Sequence, residues 1–82
     1  KKYLFDLPVR AESHFSGKEI RDVRWPEDVL VTSIRRGQQN VVATGKTVMQ
    51  TGDVLRVLTD LGLAKTVQEE LKQLEKRRLF DT

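Results

Sequence analysis

The stretch from Val29 to Asp60, VLVTSIRRGQQNVVATGKTVMQTGDVLRVLTD, decides the fold of this 82-residue chain. Val29 to Ile34 is an apolar, largely β-branched run of strand length. Arg35-Arg36 carries it outward, Gly37-Gln38-Gln39 turns the chain, and Asn40 to Ala43 returns as a second strand. The pattern predicts a hairpin with a short, glycine-containing loop. Gly45-Lys46-Thr47 marks another break, and Val48-Met49 is an apolar pair that must pack inward. Thr51-Gly52-Asp53 predicts a tight turn in which glycine supplies a positive φ. Val54 to Thr59 then reads as a third strong strand.

Working outward, Phe5, Leu7 and Val9 alternate with Asp6, Pro8 and Arg10, the period of a half-buried strand. Pro8 cannot donate to a ladder, so this strand belongs at a sheet edge. Ser16-Gly17-Lys18-Glu19 has the spacing of a capping box. It predicts a short helix over about 17–24, with Ile20 and Val23 on one face, ended by Trp25-Pro26 because the residue before proline avoids helical angles. Downstream, Leu63, Val67, Leu71 and Leu74 fall at helical spacing with charges opposite, predicting a helix over about 61–79. Thr66-x-x-Glu69 is a second candidate capping box, which would start that helix later. The order strand, helix, three strands, helix gives an α+β fold: a mainly antiparallel four-stranded sheet with two helices on one face.

Composition narrows the function classes. The chain is 38% hydrophobic and 33% charged, with five glycines and two prolines, a single globular domain over 1–82 rather than a disordered segment. A domain this short buries only about 60–65% of its unfolded surface and gains from a partner. With no cysteine, disulfides and zinc–thiolate chemistry are excluded and a reducing, cytoplasmic setting is favoured. No apolar run reaches the ~18 residues of a membrane span, so this segment is not expected to insert directly. The chain opens without methionine one residue from a strand pattern, which we read as a fragment of a longer membrane transport protein.

Net charge is +3, without the concentrated basic stripe of a nucleic-acid binder. Lys76-Arg77-Arg78 reads first as the solvated C-terminus of the last helix, where cations complement the dipole. No catalytic constellation is visible, and the chain is not expected to be an enzyme. The single histidine, His14, lies in a loop beside Glu12 and Ser13, which are too near in sequence to converge as a triad does. The aspartates are too scattered for a metal centre, and Gly45-Lys46-Thr47 lacks the earlier glycine of a phosphate loop. The best anion-binding candidates are Arg21, Arg24, Arg35 and Arg36; the first two share a face if the short helix forms. A merely exposed basic surface remains the alternative. Trp25 reads either as a cover for the small core or as a ring bordering a ligand or partner.

Residues 29–60 also carry a more specific signal. The run Val31 to Gly37, then Val41-Val42-Ala43, then Gly45-Lys46-Thr47-Val48-Met49-Gln50-Thr51-Gly52-Asp53-Val54-Leu55-Arg56-Val57-Leu58, resembles the TrkA-C domain. This is the C-terminal half of the regulator-of-potassium-conductance (RCK) module. Ser16-Gly17-Lys18 also fits, and the likeness spans roughly 5–75. Gly45 and Thr47 would turn Val48 and Met49 toward the core.

The resemblance implies a cytosolic regulatory, ligand-sensing domain attached to a membrane channel or transporter and paired as a homodimer. Trp25-Pro26 followed by Val31 to Gly37 looks most like the version appended to bacterial ClC-type chloride channels; a potassium or other cation transporter is the alternative host. An RNA-binding module of the S4 type is a further alternative, although Glu19 and Asp22 interrupt the basic helix it needs. The resemblance implies no resident cofactor and no NAD or ATP site, since the glycine-rich Rossmann loop is not among these residues. Some relatives bind cyclic di-AMP between subunits. The matching positions here are about Arg24, Trp25 and Leu30, with Arg21 nearby. This sequence departs from the binders there, because Val29 and Leu30 are apolar where they carry polar residues.

Overall fold

The structure is a computed structural model that describes residues 1–76. Strands β1 (Lys2–Pro8), β2 (Leu30–Arg36), β3 (Gln39–Val42) and β4 (Val54–Asp60) form one antiparallel sheet in the order β1-β4-β2-β3. The α+β class and the four-stranded sheet agree with the pattern of the sequence. Helix α1 (Ala64–Leu74) follows a 3₁₀ turn at Leu61–Leu63.

Period-two patterning places the core. Val31 and Ile34 of β2, Leu55 and Val57 of β4, and half-buried Phe5 and Leu7 of β1 face inward. Val67 and Leu71 of α1 close over them. Val9, Phe15, Val23 and Met49 fill the remainder from loops. A register irregularity between Val31 and Ser33 is what puts Ile34 rather than Ser33 inward, as a β-bulge does. Burying a residue of this kind stabilises by roughly 1.5–3 kcal/mol.

The turns form as their chemistry demands. Arg36 pairs with Gln39 across a two-residue loop in which Gly37 has φ +62°. Glycine at the first loop position suits the twist of a hairpin. Gly52, at φ +94°, makes the predicted turn into β4. Pro8 ends β1, which is an edge strand as expected.

Four expectations need correction. The helix over 17–24 is a single 3₁₀ turn, Ile20–Asp22, and no side chain caps it. Its backbone groups are claimed elsewhere: Met49 N–H donates to Lys18, and Gly17, Ile20 and Arg21 N–H groups donate to the carbonyls of Met49, Thr47 and Gly45. Segment 17–21 therefore lies beside 45–49 like a short ladder, with a bridge between Glu19 and Val48. Ser16, the supposed cap, hydrogen-bonds Thr51 at 2.7 Å instead.

Second, only Met49 of the Val48-Met49 pair is in the core, while Val48 is 40% exposed. A strand-like bridge sends neighbouring side chains to opposite sides. Third, the last helix begins at Ala64, so Leu63 lies before it and is exposed, and Thr66 does not cap it. Fourth, α1 ends at Leu74 with a turn at 75–76; the expected extension to 79 and Arg77-Arg78 lie outside the described residues.

Candidate functional site

The four candidate arginines do not assemble. Arg36, at the end of β2, is tied to Asp53, the residue that launches β4. Its Nε donates to Oδ1 at 2.9 Å and an Nη donates to Oδ2 at 2.8 Å, while the same Nη donates to the Val48 carbonyl. Asp53 is 1% exposed and also accepts from Gln50 N–H at 2.9 Å. Burial alone would raise its pKa, but the Arg36 hydrogen bonds, the Gln50 amide and the Arg36 charge outweigh burial and hold it below the ordinary carboxylate value. This bidentate pair is a structural clamp rather than an open anion site.

Arg21 lies against Gly45, where an added Cβ would come within 3.3 Å of the Arg21 Cβ. Its Nε approaches Glu19 Oε1 at 2.6 Å, without the alignment that a hydrogen bond needs. Arg35 pairs with Asn40 in register across the hairpin. Arg24, in contrast, borders an open concavity.

That concavity, about 550 Å³, is lined by His14, Gly17, Lys18, Asp22, Val23, Arg24 and Leu74. Two basic side chains, Lys18 and Arg24, line it with the carboxylate of Asp22 and the apolar side chains of Val23 and Leu74. The loop 13–18 is what brings His14 and Lys18 to Arg24. The His14 amide donates to the Glu75 carbonyl at 2.8 Å, and Gly17 is fastened to Met49. Lys18 and His14 were missed as site residues because this convergence depends on a fold-back that has no local period. The Gly17-Lys18 pair was the only available signal.

Trp25 packs at 5.0 Å and a tilt of 46° on buried Phe15, and its indole N–H donates to the Ile20 carbonyl at 2.9 Å. It is half-buried cover for the core, with its polar edge satisfied. Leu30 is 59% exposed at the start of β2. It borders a different, smaller hollow whose charged lining is mostly acidic: Glu27, Asp28 and Asp60, with Lys2. Leu30 and Arg24 thus line different hollows. Among the described residues no group of three or more His, Asp or Glu side chains is placed to hold a metal. No helix among them is long and apolar enough to cross a membrane.

An open four-stranded sheet is backed by one helix, and the concavity and the clamped turn both abut the segment 48–53, through Gly17 and Lys18 on Met49 and Arg36 on Val48 and Asp53; this is a small α+β domain. The sequence places it more narrowly: residues 4–72 match the family model of the TrkA-C domain, and the chain belongs to that family. Eighteen chains of solved structures match it. One, described as "Structure of RCK domain with cda", is similar over 83% of this chain and 96% of its own, with a TM-score of 0.65 and 20% identity. At that identity the likeness speaks for the fold. No curated protein matches. TrkA-C and RCK domains are typically regulatory parts of potassium-transport systems.

Proposed function

We propose that this chain is the cytosolic regulatory domain of an ion channel or transporter, working as a homodimer, and that it senses a small anionic ligand at the Arg24 concavity. The observation that carries the reading is the TrkA-C match over 4–72. The basic lining by Lys18 and Arg24 supports an anionic ligand. The matching RCK structure is described with cda, which we read as cyclic di-AMP, and this makes a cyclic dinucleotide the first ligand to try. Leu30 is no part of the ligand site in this reading, and Trp25 supports the site from the core side.

The host we propose is a bacterial ClC-type chloride channel, on the resemblance of Trp25-Pro26 and the Val31 to Gly37 strand; the family's potassium-transport association favours a potassium transporter as the second reading. In either host the domain acts by coupling. The ligand favours one dimer geometry, and the bias on the pore is no larger than the ligand's differential affinity for the two states.

Isothermal titration with cyclic di-AMP, other cyclic dinucleotides and adenine nucleotides tests the reading. Binding is expected to weaken about tenfold or more in Arg24→Ala and Lys18→Ala, the scale of a lost hydrogen bond to a charged group. No heat and no thermal shift at millimolar ligand would leave only a scaffolding role.

A further inference from the structure

We propose that the free edge of β1 pairs with β1 of a second copy of this chain, antiparallel and centred on Leu4, making one eight-stranded sheet. The inference deepens the homodimer reading above and rests on it, because it names the surface.

β1 is the outer strand of the sheet. Its register with β4 pairs residues whose numbers sum to 62, from Lys2↔Asp60 to Pro8↔Val54. The flanking backbone bonds fall in the same register: Leu61 N–H donates to the Lys1 carbonyl and Val9 N–H to the Asp53 carbonyl. In an antiparallel ladder hydrogen-bonded pairs alternate, so the odd residues Tyr3, Phe5 and Leu7 direct their backbone groups to β4. Lys2, Leu4 and Asp6 direct theirs outward. Three donors and three acceptors thus line an edge that is unpaired among the described residues, which is a ready template for another strand. Pro8, which has no N–H, lies just beyond them.

Charge selects the occupant and the register. With Leu4 opposite Leu4 of the second copy, Lys2 faces its Asp6 and Asp6 faces its Lys2. Each of these pairs joins outward-directed backbone groups, so six inter-strand hydrogen bonds form. Lys2 already meets Asp60 at 3.0 Å, and Arg56 meets Asp6 at 3.5 Å. Across the joined sheet the order becomes Asp60, Lys2, then Asp6 and Arg56 of the second copy, with signs alternating throughout. Shifting the centre to Phe5 sets Leu4 against a carboxylate and Lys2 against Pro8. A strand edge that is merely protected needs no such self-complementary pattern.

The side chains agree on both faces. Leu4, Leu58 and Leu30 lie directly opposite one another on β1, β4 and β2, and Leu4 and Leu30 are 51% and 59% exposed. The pairing joins this row to its copy as six adjacent leucines. On the inner side, Tyr3 and Phe5, stacked at 6.0 Å within one chain, come opposite Phe5 and Tyr3 of the second copy, and cross-strand aromatic pairs are favourable.

Carbodiimide coupling of the unmodified chain, followed by peptide mapping, tests the register. Lys2 and Asp6 are four residues apart on one strand, about 13 Å, beyond the combined reach of their side chains. An amide between them therefore reports two copies. Sedimentation over a concentration series gives the dimer constant. Lys2→Asp and Asp6→Lys should each weaken dimerisation about tenfold or more, because two attractive cross-strand pairs become repulsive. The double variant should recover most of the loss.

A dimer without the Lys2–Asp6 product, or with a dissociation constant changed less than twofold by either reversal, overturns the edge inference and leaves the dimer and ligand readings standing. A chain monomeric at millimolar concentration overturns the edge and the dimer together, while the titration above still judges ligand sensing. If a variant loses its far-ultraviolet circular dichroism, the coupling result on the unmodified chain decides.

Discussion

Residues 30–60 and residues 10–28 satisfy their backbones in opposite ways. The first region does so with neighbours that repeat: strands pair in register, and two glycine turns return the chain to the next strand. The second has little repeating structure. Three of its donors, on Gly17, Ile20 and Arg21, reach the carbonyls of Met49, Thr47 and Gly45, and others close short irregular turns. A period exists only where successive residues share one kind of partner. The first region shows one and the second, for the most part, does not. The clamp and most of the core make the first region the specifier of the fold; the second brings Lys18 and Arg24 to the concavity.

The largest expected effect lies at the centre of the first region. Leu55→Ala opens a cavity at a fully buried β4 position and should cost about 2–5 kcal/mol. A chain of this length has a total stability of roughly 4–12 kcal/mol, so thermal and urea melts should show a large loss or no folded state. A loss under about 1 kcal/mol would mean that β4 is not the core strand.

Next is the clamp within the first region, between Arg36 and Asp53. Arg36→Ala leaves the Asp53 carboxylate buried without its partner and should cost about 2–4 kcal/mol. The pH dependence has a definite sign. The folded-state pKa of Asp53 lies below its unfolded value, so its contribution is present above the ordinary carboxylate pKa of about 3.9. It is lost as pH falls through the lower folded value. The stability difference between the unmodified chain and Asp53→Asn should therefore shrink on acidification below about pH 4, as read by urea melts across pH. A difference independent of pH would show that Asp53 is not held ionised by Arg36.

Gly37→Ala should cost about 1 kcal/mol through the positive φ at the hairpin, measured by the same melts. The smallest effect separates the two regions most sharply. Glu19→Ala should change stability by no more than about 0.5 kcal/mol, because Glu19 is half-buried, its Oε1 makes no hydrogen bond among the described residues, and its ion-pair partner Arg21 is exposed. A lost capping interaction would cost about 1 kcal/mol, and that outcome would restore the helix over 17–24.

The strands from Val29 to Asp60 were legible because alternation and turn chemistry are local. The β1 edge was legible because proline lacks a donor. The capping-box spacing at Ser16 and Glu19 misled because it records a local opportunity. The actual partners, Thr51 and the 45–49 segment, lie far away in sequence. Of the candidate site, Arg24 was legible as an exposed cation, and Trp25 as a core cover in one of its two readings. Grouping Arg36 with them failed because its carboxylate partner is 17 residues distant, across a hairpin and a turn.

By itself the sequence determined the four strands, their glycine turns, the amphipathic last helix and the family. Each rests on the periodic or stereochemical preference of adjacent residues. Only the tertiary structure decided that segment 17–21 lies beside 45–49 rather than coiling, that Arg36 clamps Asp53, and that Lys18 and His14 line one hollow with Arg24 while Leu30 lines another. Those outcomes depend on which distant groups meet when the core closes, and no local pattern encodes that.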